Sequence, residues 1–149
     1  VSEKNRSLGG GIRYLRKEVN MVPLVYVCDD DSHIVRAISM KLKKANLEVE
    51  CFSDGLACWE KVQERAPLLI ITDLQMPRMN GLELCEKIRS YPDTQNIPIT
   101  LLTGKGFEFD HDEYMETLKI NNVMVKPFSP KKLLEQVQGC LNLTNELIG

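Results

Sequence analysis

The stretch Leu68-Leu69-Ile70-Ile71-Thr72-Asp73-Leu74-Gln75-Met76-Pro77-Arg78-Met79-Asn80-Gly81 decides how this chain folds. Its four leading apolar residues, two of them β-branched, read as a strand over Leu68–Thr72 buried on both faces. One carboxylate, Asp73, stands where that strand ends. Pro77 and the Asn80–Gly81 pair then form a loop that no helix continues through. In open α/β sheets, ligands bind at the C-terminal ends of parallel strands. That position marks Asp73 as a candidate nucleophile.

Working outward, the same alternation recurs. Val22–Cys28 is an apolar run that meets Asp29-Asp30-Asp31, so a buried strand runs into an acidic loop. Ser32 is a good helix cap, and Ile34, Ile38, Leu42 and Ala45 follow at helical spacing. Leu47–Phe52 alternates as a half-buried edge strand does, and Ser53-Asp54-Gly55 turns into a helix carrying Cys58, Trp59 and Val62, ended by Pro67. Gly81 opens a helix with Leu82, Cys85, Ile88 and Arg89. Ile97–Thr103 reads as the fourth strand, Asp110–Ile120 as an acidic helix and Val123–Val125 as the fifth strand. Ser129 caps a last helix with Pro130 at its first position, and that helix is expected to end near Leu143. Five strands alternating with five helices through short loops predict a doubly wound parallel sheet.

Composition sets the remaining bounds. A chain of 149 residues, 43% hydrophobic and 27% charged, suits one globular domain. Its net charge of −2 argues against direct nucleic-acid binding. Residues 1–20 carry five basic side chains against two acidic ones, which leaves the rest of the chain at −5. Those residues, with Gly9-Gly10-Gly11 and a weak Ile12, Leu15, Val19 periodicity, are expected to be a linker or extension, with the domain over 21–149. The five cysteines are odd in number and lack a C-x-x-C pair. Scattered through apolar runs, they read as small hydrophobes in a reducing compartment. With no membrane-length apolar run or signal-peptide core, the expected location is the cytoplasm.

The chemistry follows from the strand ends. Asp29 and Asp30 follow the first strand, Asp73 the third, Thr103 the fourth and Lys126 the fifth. Parallel strands bring these groups to one edge. Three crowded carboxylates repel and raise one another's pKa, and a hard divalent cation relieves this; oxygen ligands with open water positions suit Mg2+. Lys126 adds a mobile cation and Thr103 a hydroxyl donor. Such a site suits a phosphoryl group in transfer.

At these residues the chain resembles the receiver domains of two-component response regulators. Val27-Cys28-Asp29-Asp30-Asp31 resembles their acidic pair, and Asp73–Gly81 their phosphoacceptor loop. Leu101-Leu102-Thr103-Gly104 resembles the switch hydroxyl, and Val125-Lys126-Pro127-Phe128 the lysine signature. The resemblance covers roughly residues 22–142. It implies a flavodoxin-like five-stranded sheet in the order 2-1-3-4-5 with helices on both faces. It further implies that Asp73 accepts a phosphoryl group from a histidine kinase or histidine phosphotransfer protein. Asp29, Asp30, Asp73 and the Gln75 backbone carbonyl would then ligate Mg2+, Lys126 would pair with a phosphate oxygen, and Thr103 would swing toward it. A cis Lys126–Pro127 peptide is expected. The implied partners also include an output domain or downstream protein at the face made by helix 4, strand 5 and helix 5, and a phosphorylation-dependent dimer. One position departs from the family: three residues before the lysine, where an aromatic gate is common, stands Val123. Tyr114 and the pair Phe107/Phe109 are candidate substitutes.

Rival readings differ at identifiable residues. A haloacid-dehalogenase-type phosphatase needs a second Asp two residues after its nucleophile, and Gln75 occupies that place. Without a positioned base the aspartyl phosphate persists, which favours a switch over a turnover enzyme. A P-loop nucleotide site lacks its G-x-x-x-x-G-K-[ST] signature. A phosphorylation-independent interaction module of the same fold remains compatible with Val123. Taken singly, Thr103 reads as a strand-end hydroxyl, Lys126 as a surface charge and Asp31 as a helix-end carboxylate. His33 and His111 have no metal-ligand company, and Trp59 reads as core.

Overall fold

The computed structural model describes residues 22–104 and 111–148. Among them, five parallel strands form one sheet in the order β2-β1-β3-β4-β5, as expected. The strands are β1 (Leu24–Cys28), β2 (Glu48–Phe52), β3 (Leu69–Asp73), β4 (Ile99–Thr103) and β5 (Asn122–Val125). The helices are α1 (Ser32–Lys44), α2 (Gly55–Glu64), α3 (Gly81–Arg89), α4 (His111–Thr117) and α5 (Pro130–Ile148). No described helix is long and apolar enough to cross a membrane.

Largely apolar runs become the central strands because both sheet faces are covered there. Tyr26, Ile70, Ile99 and Leu101 point to one face and pack with Cys58, Trp59 and Val62 of α2 and Leu84, Cys85 and Ile88 of α3. Val25, Val27, Leu69, Ile71 and Leu102 point to the other, against Ile38 and Leu42 of α1 and Leu133, Val137 and Leu141 of α5. Each fully buried Leu or Ile contributes about 2 kcal/mol of transfer free energy. The edge strand β2 buries Val49 but exposes Cys51. So alternation fails to predict Cys51: the inward face of this strand is covered with Leu47 and Val49, alongside Leu42, and no further.

Other differences are local. The cap of α1 is Asp31, whose carboxylate accepts from the His33 and Ile34 amides, while Ser32 is already helical. Two good cap residues stand side by side, and the carboxylate gains more from the helix dipole. The last helix runs on past Leu143 to Ile148, since no Gly or Pro stands between those two residues. Ser129 does cap it, its hydroxyl accepting from the Lys132 amide at 3.1 Å. Residues 1–21, with the expected linker and its Ile12, Leu15, Val19 periodicity, lie outside the described residues, as do Phe107 and Phe109.

Strand order determines where a site forms. From β1 the chain crosses first to β2 on one side and then to β3 on the other, which opens a crevice between the ends of β1 and β3. The register aligns Cys28 with Thr72, Asp73 with Leu102 and Thr103 with Val125, so the strand ends are level.

Candidate functional site

The crevice gathers the acidic residues. Asp29 leaves the end of β1 and is buried; Asp73 is the last residue of β3 and also buried; Asp30 is exposed beside them. One carboxylate oxygen from each lies within 4.8 Å of the others, a spacing that suits a shared metal ion. All donors are hard oxygens, so the set fits Mg2+ or Ca2+ rather than a soft metal. Asp29 is held in place by the Asp31 amide, which donates to its Oδ1 at 2.9 Å.

Lys126 follows β5 and reaches into the same crevice. Its amide donates to the Thr103 carbonyl at 2.7 Å, which ties the lysine to the end of β4. Its Nζ lies 2.9 Å from Asp29 Oδ2 and 3.1 Å from Asp73 Oδ1. The Lys126–Pro127 peptide is cis. Burial pushes the Asp73 carboxyl above its ordinary range, and the Asp29 charge pushes the same way; together they outweigh Lys126 and the Leu74 amide. For Lys126, desolvation lowers the pKa, but hydrogen bonding and charge from Asp29 and Asp73 prevail and raise it. The result is a protonated lysine between two carboxylates.

Thr103 ends β4 and is buried; Gln75, two residues beyond Asp73, is exposed. Val123 is half-buried and packs on the core face that holds Leu101. The loop after Asp73 returns tightly. The Gly81 amide donates to the Leu74 carbonyl at 2.8 Å, and a Cβ on Gly81 would lie 2.1 Å from the Asp73 carbonyl oxygen. Any side chain there would displace the end of β3, so this position must be glycine. Asn80 then caps α3 reciprocally with Glu83.

Two contributors are not evident from the sequence. Arg78 pairs with the buried Asp54 across 24 residues of chain, Nη2 to Oδ2 at 2.6 Å. Arg89, on the apolar side of α3, donates to the carbonyls of Leu118, Gln95, Ile97 and Lys119 at 2.7–3.0 Å. An arginine in line with Leu82 and Cys85 is the one signal that could have revealed it. Trp59 is core as expected, and stacks on Tyr91 with ring centroids 5.4 Å apart.

Sheet order and crevice together define a receiver-type α/β domain. The response regulator receiver domain profile matches residues 25–138, and the chain belongs to that family, which serves two-component signalling. It is 31% identical over 121 residues to the phosphate regulon transcriptional regulatory protein PhoB of Rhizobium meliloti (strain 1021), covering 81% of this chain and 53% of that protein. With the alkaline phosphatase synthesis transcriptional regulatory protein PhoP of Bacillus subtilis (strain 168) it shares 32% over 117 residues, 78% of this chain and 48% of PhoP. The chain thus spans about half the length of these curated relatives. Among solved structures it is similar to the chemotaxis response regulator CheY4 of Vibrio cholerae, with 28% identity and a TM-score of 0.73 over 80% of this chain and 99% of that one. The receiver domain of AraT, a response regulator from Geobacillus stearothermophilus, gives 27% identity and a TM-score of 0.71 over 85% and 99%.

Proposed function

We propose that this chain is a phosphorylation-controlled signalling switch with Asp73 as phosphoacceptor. The observation that carries this reading is the contact of Lys126 with both Asp29 and Asp73, with an Asp30 oxygen in the same cluster. An Asp73 oxygen attacks the phosphorus of a phosphohistidine on a histidine kinase or histidine phosphotransfer protein. The O–P bond forms as the P–N bond breaks, and the imidazole leaves and recovers its proton. Asp29, Asp30, Asp73 and the Gln75 main-chain carbonyl would hold Mg2+, which when bound neutralises charge on the phosphoryl oxygens.

Lys126 pairs with a phosphoryl oxygen in place of its Asp73 contact, and the Thr103 hydroxyl donates to another. Gln75 has no acid–base capacity, so hydrolysis is slow and the domain signals rather than turns over. The output is a second domain or a downstream protein at the face of α4, β5 and α5, where Met115 and Val125 are exposed. Val123 supports a second reading, an interaction module that keeps the pocket without an aromatic relay.

Incubation with acetyl phosphate and Mg2+ tests the first reading. One phosphoryl group should be gained by the wild type and none by Asp73→Ala or by wild type in EDTA. Equal labelling of wild type and Asp73→Ala would overturn it.

A further inference from the structure

Arg78 adopts left-handed backbone, with φ of 65°. A residue with a side chain holds that conformation only where its surroundings impose it, and such sites cluster at functional loops. Here the N-terminus of α2 imposes it. The Arg78 guanidinium reaches Asp54 at 2.6 Å, and the other Asp54 oxygen caps α2 by accepting from the Ala57 amide at 2.8 Å. The next loop residue is fastened too: the Gly55 amide donates to the Met79 carbonyl at 2.9 Å. A Cβ on Gly55 would lie 2.3 Å from that oxygen, so the loop and the helix approach as closely as glycine allows. At the start of the loop, Gly81 holds the Leu74 carbonyl. Gln75 sits between these two anchorages.

We infer that Asp54 and Arg78 are positioning residues for the divalent cation: their ion pair braces residues 74–80 so that the Gln75 carbonyl and the Asp73 carboxylate stay set for it. This rests on the proposed metal site at Asp73. Neither residue belongs to the acidic cluster. Groups that orient metal ligands in this way typically change metal affinity by 10–100-fold when removed. Displacing a main-chain ligand by a fraction of an ångström is enough, because the chain cannot rotate the carbonyl independently of its neighbours.

The test compares wild type, Arg78→Gly, Asp54→Asn and the double variant. Glycine tolerates the left-handed backbone, and asparagine still caps α2, so the fold is kept in each. Calorimetric titration with Mg2+ should show affinity about 10-fold weaker than wild type in each single variant, with no further loss in the double. In metal-free protein, amide hydrogen exchange at Gly55 and Gly81 should be at least about 10-fold faster in Asp54→Asn as well as in Arg78→Gly, with β1 amides unchanged. Unchanged exchange at both glycines overturns the brace, whatever the cation does. Faster exchange with unchanged Mg2+ affinity overturns the positioning role. A wild type that binds no Mg2+ removes the metal site and its positioning role together, while the exchange result still decides the brace.

Discussion

Two cations sit at opposite edges of the same sheet and are held in opposite ways. Lys126 lies at the C-terminal edge between two carboxylates, Asp29 and Asp73. Arg89 lies at the N-terminal edge and is held by four neutral carbonyls from the segments entering β4 and β5. Burial lowers the Arg89 pKa, yet guanidinium remains charged under all ordinary conditions. Carboxylates are strong ligands that a metal or phosphoryl group can claim, leaving Lys126 to take a new partner. Main-chain carbonyls offer no such exchange. On the proposed function one edge changes partners and the other stays fixed, with α3 running from Gly81 beside Asp73 to Arg89.

Substituting each cation separates the two roles. Arg89→Ala should have the largest effect on stability, about 3 kcal/mol, because several carbonyls lose a charged donor at once. Arg89→Lys should recover little of this, since an ammonium cannot span the fork of acceptors. Urea denaturation measures both, and the folded fraction should still accept a phosphoryl group. Lys126→Ala should cost less, about 1–2 kcal/mol, because Asp73, whose pKa burial already raises, can take up a proton and relieve the unpaired charge. It should nevertheless reduce labelling by acetyl phosphate far more than Arg89→Ala does. If Arg89→Ala abolishes labelling at full folding, the division between the two edges fails.

The smallest expected effect runs the other way. Burial, followed by the Asp29 charge, holds the folded Asp73 carboxyl above its unfolded value. The stability tied to this group is therefore complete below the unfolded value and lost as pH rises through the folded one. Metal-free Asp73→Asn should be more stable than wild type at neutral pH by about 1 kcal/mol. The difference should vanish on acidification through the carboxylate range and shrink when Mg2+ is added. A variant less stable than wild type at neutral pH would show that Lys126 already compensates the charge in full.

Much of this site can be read from local signals. A buried apolar run ending in a carboxylate is visible without a structure, and parallel topology brings Asp29, Asp30, Asp73 and Lys126 together once the strands are recognised. What escaped reading is held by contacts distant in sequence. Asp54 and Arg78 are separated by a helix and a strand, and each alone looks like a turn residue. Arg89 shows only as a charge on an apolar helix face, and its acceptors are main-chain atoms that every residue carries. Gly81 was legible as a turn, but its need to avoid the Asp73 carbonyl was not. The end of α5 lies beyond Leu143, at Ile148, because no Gly or Pro stands between the two positions to mark a stop.

The central claim is that the carboxylate at the crevice, and no other, accepts the phosphoryl group. Its most direct test is chemical trapping of the wild type after reaction with acetyl phosphate and Mg2+. Borohydride reduces an aspartyl phosphate to homoserine, and peptide mass spectrometry then locates the converted residue. The account predicts homoserine at position 73 alone. Conversion at Asp29 or Asp30, or no conversion anywhere, would contradict it.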